Sequence, residues 1–311
     1  MKIATWNVNG IRAREVQLCE WVARDQPDII CLQELKAELA QIPVACHLDD
    51  YYVYWHGMRG YSGVSLHIRK RLFDGEPKFS HPDFDMETRI VQAELGNLVV
   101  ASIYVPNGGK DYAAKIDFFT RLTQWSKRLH DEGREVILCG DLNIARQEVD
   151  VHPTQRKAGV IGQRPEEREL FATLLGDHFV DVHRKMHPDD DRLYTWWAPW
   201  RNLRQRNMGW RIDYIVASKA IADRVVSCEV LIDVGTSDHG PLLLTIDESG
   251  RGARSTAASN AKSPPIGSSE NRSATAGPAG LMPASAADTH PAVQASLALD
   301  DPATTPDADD R

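Results

Sequence analysis

Long hydrophobic runs, paired cysteines and an excess of positive charge are all missing from this sequence. No run approaches the roughly 18 consecutive apolar residues of a membrane-spanning helix, so no membrane partner is expected. The opening MKIATWNVNG alternates like a strand and lacks the apolar core of a secretory leader, which makes a cytoplasmic protein the expectation. Cysteine is scattered, odd in number and never in a CxxC pair: Cys19, Cys31, Cys46, Cys139 and Cys228. That argues against a disulfide frame and against a sulfur-rich zinc site. Cys31 and Cys139 lie inside apolar runs and read as small buried hydrophobes in a reducing compartment. The net charge of −8 speaks against nucleic acid only if charge is evenly spread. It is not, because basic residues cluster at Arg69–Arg71, at Arg156 and Lys157, and at Arg201, Arg204 and Arg206. A divalent cation at an acidic site would also reverse the sign locally.

With 42% hydrophobic and 26% charged residues, the composition is that of an ordinary globular domain. It changes after Glu248. Residues 249–311 are dominated by Ala, Ser, Thr, Pro, Gly and Asp and contain no Phe, Tyr or Trp. Such a segment cannot bury enough surface to offset its ordering entropy, so a domain over 1–248 and a disordered tail over 249–311 are expected. Within the domain, ten apolar runs rich in Val, Ile and Tyr read as strands, from KIATWNV to PLLLTI. Helical periodicity recurs over 11–25, 110–131 and 166–175; the second places Ile116, Phe119, Leu122 and Trp125 roughly on one face. Strands in two sheets with helices outside predict an α/β sandwich.

Several of these strands end in polar residues. TWNVNG carries Asn7 and Asn9, IICLQE ends in Glu34, and IYVPNG carries Tyr104 and Asn107. ILCGDLN ends in Asp141 and Asn143, WRIDY holds Asp213, and SDHG brings Asp238 beside His239. Residues two apart in an extended chain share a face, so Asn7 with Asn9, and Asp141 with Asn143, are expected to point together. A carboxylate can take a proton from water or bind a cation, and a neighbouring amide can donate to an oxyanion. If the tips converge, the donors are hard oxygens plus one imidazole, which favours magnesium or manganese over zinc. Each residue alone has a plainer reading. Glu34 could cap a helix, Asp141 could make an Asx turn, and His239 could be a satisfied core histidine. Asp213 is harder to dismiss, because a carboxylate between Ile212 and Tyr214 is costly without a partner. His239 is the natural one, oriented and charged as in hydrolytic triads.

The stretches TWNVNGIRAR, PDIICLQELK, SIYVPNGG, CGDLNIA, YTWW, GWRIDYIVAS and SDHGPL occur in that order. Together they resemble the exodeoxyribonuclease III class of abasic-site (AP) endonucleases, in the endonuclease/exonuclease/phosphatase superfamily that also includes deoxyribonuclease I. The match spans nearly all of 1–248. It implies a deoxyribonuclease I-like, four-layered α/β sandwich, two packed mixed β-sheets flanked by helices, with the strand tips at one edge. It implies a Mg2+-dependent phosphodiesterase, with Mn2+ as a substitute, acting as a monomer on double-stranded DNA with abasic sites or blocked 3′ ends, nucleoid-associated through that DNA. Incision 5′ of the damaged sugar would leave a 3′-hydroxyl; 3′-exonuclease and 3′-phosphatase activities would share the site. By the same resemblance Glu34 is the main metal ligand with Asn7 and Asp238 nearby. Asp141 handles the attacking water or its proton, and Asn143 steadies it or the phosphate, both within reach of the metal. Tyr104 lies near the scissile phosphate, and His239, held by Asp213, donates to a phosphate oxygen. Asn9 and Asn107 fall on the substrate side. Whether one or two metals act, and whether Asp141 or His239 is the base, stays open.

An abasic sugar flips out cheaply because little stacking is lost, and a small apolar pocket can reject intact nucleotides by size. Alternation in WRIDY sends Trp210 and Ile212 one way and Arg211 and Asp213 the other, so Trp210 and Ile212 could wall such a pocket, with Trp196 at the family's third position. Core packing is the plainer role for these tryptophans. APWRNLRQRN, with Trp200, Arg201, Arg204 and Arg206, fits a loop that grips phosphates and inserts beside the duplex, or else a solvated charged loop. In RKAGVIGQRPEER the chain departs from the family, with Lys157 at an Asn position, Val160 at a Phe position and a slightly longer loop; Trp196 is bulkier than the Phe of some relatives. A phosphatase or sphingomyelinase-like hydrolase of the same superfamily is the nearest rival, and a non-enzymatic DNA-binding protein the more distant one.

Overall fold

The computed structural model describes residues 1–249 except 74 and 158. The tail expected over 249–311 therefore falls almost wholly outside the described residues. The compact unit runs from Met1 to Asp247. Its strands are β1 (Lys2–Asn7), β2 (Ile29–Gln33), β3 (Tyr51–Met58), β4 (Tyr61–Arg69), β5 (Lys78–Ser80) and β6 (Ile90–Leu95). They continue with β7 (Leu98–Tyr104), β8 (Glu135–Asp141), β9 (Phe179–Asp181), β10 (Asp213–Ser218), β11 (Val225–Val230) and β12 (Leu242–Ile246). Two short strands, β5 and β9, carry too few residues to show a period and were not expected. The helices are α1 (Glu15–Asp25), α2 (Tyr112–Asp131), α3 (Pro165–Leu175), α4 (Val182–Met186) and α5 (Lys219–Ala222).

Two six-stranded sheets result, ordered β11-β12-β1-β2-β4-β3 and β5-β6-β7-β8-β10-β9. Both are mixed: β1–β2 and β7–β8 are parallel, and the other pairs antiparallel. Strand alternation sorts the side chains into layers. Ile3, Cys31, Leu66, Val100, Ile137, Cys139 and Ile215 fill the space between the sheets. Val99, Val136 and Leu138 face outward under Phe118, Phe119 and Leu122 of α2 and Phe171 of α3. Ala4, Trp6, Ile30 and Leu32 do the same under Leu18, Trp21 and Val22 of α1. The result is the expected four-layered α/β sandwich. The buried stripe of α2 is Lys115, Phe118, Phe119, Leu122 and Trp125, with Ile116 only half-buried. Among the described residues no helix is long and apolar enough to cross a membrane.

Register puts the polar tips on one rim. Tyr104 of β7 pairs with Asp141 of β8, and Asp141 pairs with Asp213 of β10, so the three cross their sheet in a row. In the other sheet Asn7 pairs with Gln33, one residue before Glu34. Gln33 donates to Ser102 Oγ at 3.0 Å, and Ser102 to the Leu32 carbonyl at 3.0 Å, so the sheets are bolted together just beneath this rim. Gly140 makes the row possible: its φ is +149°, and a Cβ there would lie 1.9 Å from the Ile103 carbonyl oxygen.

Candidate active site

Asn7 lies at the centre of the rim. Its Nδ2 donates to Glu34 Oε1 at 3.2 Å and to Asp141 Oδ2 at 3.0 Å, linking carboxylates 107 positions apart from two different sheets. Asn9 Nδ2 donates to Asp238 Oδ1 at 2.8 Å, and Trp196 Nε1 donates to the other oxygen of Asp238 at 3.0 Å. Tyr104 donates its hydroxyl to Glu34 Oε1 at 2.6 Å. His239 Nδ1 meets Asp213 Oδ2 at 2.8 Å, and its Nε2 lies 3.9 Å from Asp141 Oδ2. Asp238 and His239 therefore diverge, one toward Asn9 and Trp196, the other toward Asp213 and Asp141. The turn is braced by Ser237, whose hydroxyl donates to the Asn7 carbonyl at 2.7 Å and accepts from the His239 N–H at 3.2 Å.

The shared faces expected for Asn7 with Asn9 and for Asp141 with Asn143 are made differently. Asn9 and Asn143 lie just past their strands at φ +45° and +52°, in the left-handed region. Instead of alternating, each pair closes an Asx turn: Asn9 N–H to Asn7 Oδ1 at 3.0 Å and Asn143 N–H to Asp141 Oδ1 at 2.9 Å. The turn and the cluster are one arrangement. Glu34 also has a positive φ, +52°, which swings it off the end of β2.

Burial and crowding set the charges. Burial pushes the Asp141 carboxyl up, with Asp213 and Glu34 adding repulsion, to about 8. Burial works against a charged His239, but Asp213, Asp238 and Asp141 outweigh it and raise the imidazole to about 10. Burial also opposes the Glu34 carboxylate, yet Lys36, 2.8 Å away, and the Tyr104 hydroxyl hold it below its ordinary range. Burial followed by the Glu34 and Asp141 charges keeps the Tyr104 phenol protonated. Asp141, Asp213 and His239 place one ligand atom each within 4.8 Å of one another, a group that could hold a metal ion. The donor set suits a hard cation: carboxylates and one imidazole with no sulfur. Crowded carboxylates and the buried Asp213 Oδ1, which has no hydrogen-bond partner among the described residues, leave a deficit of positive charge that such an ion would fill.

The endonuclease/exonuclease/phosphatase family model matches residues 4–239, which contain all of these side chains. The chain belongs to that family. The exodeoxyribonuclease of Bacillus subtilis is 35% identical over 257 residues, covering 79% of this chain and all of its own. An AP endonuclease from Archaeoglobus fulgidus superposes with a TM-score of 0.66 at 31% identity, over 79% of this chain and 99% of that one. The 3′ phosphatase NExo from Neisseria, bound to product DNA hairpin, superposes at 0.72 with 29% identity and the same coverage. The family member described here is thus a hydrolase of the nuclease class, with the fold of AP endonucleases of the exodeoxyribonuclease III type.

Against that family pattern, the flanking residues are mixed. Trp196 and Trp210 do assemble: the two rings meet edge-on at 5.7 Å, and Trp196 lies 6.5 Å from the His239 ring, while the Ile212 N–H donates to Thr195 Oγ1 at 3.1 Å. They are only 8%, 2% and 3% exposed, so they form a closed wall rather than an open pocket. Trp210 donates to Gln155 Oε1 at 2.6 Å and lies under Gly162, where a Cβ would come within 3.1 Å of the ring. Regular alternation begins only at Asp213; Arg211 is fully buried and grips Asp150 and Asp181. In the arginine loop Trp200 is 38% exposed and Arg201 and Arg206 are exposed. Arg204 departs from the expected phosphate grip. Its guanidinium donates to the carbonyls of Ile232, Val234 and Ser237 and stacks 5.1 Å from the Trp197 ring, so it latches the loop to the 231–238 turn. Asn107 is held by the Gly109 N–H at 2.9 Å. In the altered loop, Lys157 N–H donates to Gln163 Oε1 at 3.2 Å.

Three contributors escaped the sequence reading. Lys36, two residues after Glu34, pairs with it and donates to Asn9 Oδ1. Thr195 Oγ1 accepts from the N–H groups of Ile212 and Asp213, setting where β10 starts. Lys115 is completely buried in α2, pairs with Glu167 at 2.5 Å and donates to the Asn143 carbonyl at 2.8 Å. Lys115 had a readable signal, a lysine on the apolar stripe of an amphipathic helix; the other two had none.

Proposed function

We propose that this nuclease is a Mg2+-dependent DNA repair phosphodiesterase that cuts the backbone 5′ of abasic sites, leaves a 3′-hydroxyl and also trims blocked 3′ ends. The observation that carries the reading is the meeting of Asn7, Glu34, Asp141 and Asp238 with the Asp213–His239 pair on one rim. The activities named for the Archaeoglobus and Neisseria relatives, AP endonuclease and 3′ phosphatase, lead to the substrate.

Glu34, bridged by Asn7 to Asp141, would hold the cation; Asp238, held by Asn9 and Trp196, and Asn143, whose Nδ2 donates to the Val105 carbonyl at 2.9 Å, would reach it from the adjoining turns. When bound, the cation supplies positive charge to the scissile phosphate and to the attacking water. Between the two candidate bases the charges favour Asp141. His239, raised to about 10, is already protonated at neutral pH and has no vacancy for a proton. Asp141 is pushed up by burial and its acidic neighbours, and a cation beside it would shift it back toward the carboxylate, leaving it free to accept a proton. His239 then donates Nε2–H to a phosphate oxygen as negative charge grows there, and Asp213 keeps the ring charged and oriented. Asn143 steadies the water, and Tyr104, a neutral phenol, donates near the phosphate. Trp196, Trp210 and Ile212, closed together in the free protein, would have to part to seat a sugar without a base and would leave no room for an intact nucleotide, while Asn9, Asn107, Trp200 and Arg201 hold the flanking backbone.

The test is a time course of the purified protein on a labelled duplex with one abasic analogue, beside matched nicked and 3′-phosphate duplexes and a phospholipid. Incision 5′ of the analogue supports the reading. Phospholipid hydrolysis with the abasic duplex left intact would replace it by the rival substrate class.

A further inference from the structure

We infer a second metal site, remote in chemistry from the first, formed by His56, His81 and Asp85 at the open edges of the two sheets. His56 belongs to β3, the last strand of one sheet. His81 follows β5, the edge strand of the other, and Asp85 lies in the connection from β5 to β6. One ligand atom from each lies within 4.8 Å of the other two. His56 Nε2 and Asp85 Oδ2 are 2.6 Å apart, and the two imidazole rings lie parallel, within 9°, at 4.5 Å.

Three features favour an ion over a simple His–Asp pair. Two imidazole rings stacked at 4.5 Å beside a carboxylate oxygen bring together the donor set of zinc-type ions. Asp85 is already oriented, because its Oδ1 accepts from the N–H groups of Arg89 at 2.9 Å and Ile90 at 3.0 Å, freeing Oδ2 for a ligand. The fit is close. Ligands about 2 Å from a tetrahedral ion lie roughly 3.3 Å from one another, a spacing between the 2.6 Å of the His56–Asp85 pair and the 4.8 Å within which all three atoms lie. His56 and Asp85 are 17% and 10% exposed and His81 is exposed, so three protein ligands leave a fourth position toward solvent.

The ion is of the zinc type, not magnesium, since two of three donors are imidazoles. It ties β3 of one sheet to the β5–β6 edge of the other, beside the inter-sheet stack of Tyr54 on Phe79 at 5.6 Å. It also steadies the segment leading to Arg89, whose guanidinium lies 4.8 Å from the Tyr104 ring at the catalytic rim.

The experiment uses the full chain, stripped with chelator and returned to excess Mg2+, titrated with Co2+ as the probe. Wild type is expected to take up one more equivalent of Co2+ than His81→Gln, with a visible d–d absorption that Zn2+ abolishes and Mg2+ does not. Its melting temperature should rise with Zn2+, and that of the variant should not. Asp85→Asn, which keeps the acceptor for Arg89 and Ile90, should lose the same equivalent, while Mg2+-dependent nicking by His81→Gln stays at the wild-type rate. Equal cobalt uptake and identical spectra in wild type and both variants would overturn the site.

Discussion

Asp213→Asn isolates the charge on His239. The wild-type imidazole rises from 6.5 to about 10 against the burial that opposes it, with Asp213 as the leading cause. That rise corresponds to about 5 kcal/mol in favour of the imidazolium at ~1.4 kcal/mol per pH decade. Asparagine keeps the shape and a hydrogen bond to Nδ1 but removes the charge, so burial then pushes the ring toward or below its ordinary value. Because the wild-type value is raised, His239 stays charged up to about pH 9 and loses its proton only as pH climbs through about 10. In the variant that loss moves down to near or below pH 6.5. At pH 8 only about 3% of a ring at its ordinary value would be charged, roughly a 30-fold loss of kcat if the charged donor is required, and more if burial pushes the ring lower. The assay is single-turnover nicking of an abasic duplex at saturating Mg2+ from pH 6 to pH 9.5. The variant rate should rise as pH falls, while the wild-type rate holds to above pH 9. An alkaline limb left near pH 10 in Asp213→Asn would refute the reasoning, since the pair could not then be what charges His239.

Other consequences are simpler to read. Asp141→Asn should abolish nicking while DNA affinity, followed by fluorescence anisotropy, stays within a few-fold. The same variant should be more stable than wild type without metal. A carboxyl raised from 3.8 to about 8 withdraws stability as pH rises through that window, so the difference in melting temperature should widen from pH 5 to pH 8. EDTA should stop incision and Mg2+ restore it, with Mn2+ as a substitute; activity persisting in EDTA would contradict the proposed chemistry. Lys115→Met leaves the Glu167 carboxylate buried and unpaired, a loss of about 3–5 kcal/mol by denaturant unfolding. Adding Glu167→Gln should recover part of it.

Much of the chemistry was legible because strand ends carry their own label. A buried apolar run that stops at Asn7, Glu34, Tyr104 or Asp141 announces a rim, and Asp213 between apolar neighbours demands a partner. The layers were legible because alternation in the strands and a 3.6-residue stripe in α2 report burial without reference to the partner. The aromatic wall and the arginines were less so. An indole in a pocket and an indole in a core have the same local pattern, and so do a phosphate-binding arginine and one, like Arg204, latched onto three carbonyls.

The amino-acid order alone therefore determined which polar residues are candidates for the chemistry and, through hydrophobic periodicity, that they lie at the tips of strands in a sandwich. Only the tertiary structure decided who touches whom. Register set Tyr104, Asp141 and Asp213 in a row and Asn7 beside Glu34, the inter-sheet contact brought Asn7 to Asp141, and left-handed turns at Asn9 and Asn143 took the place of shared strand faces. Those outcomes depend on contacts between segments from 27 to 134 residues apart and on backbone angles beyond the strand ends. Local pattern cannot encode either, because the free energy that selects them comes from the packed whole.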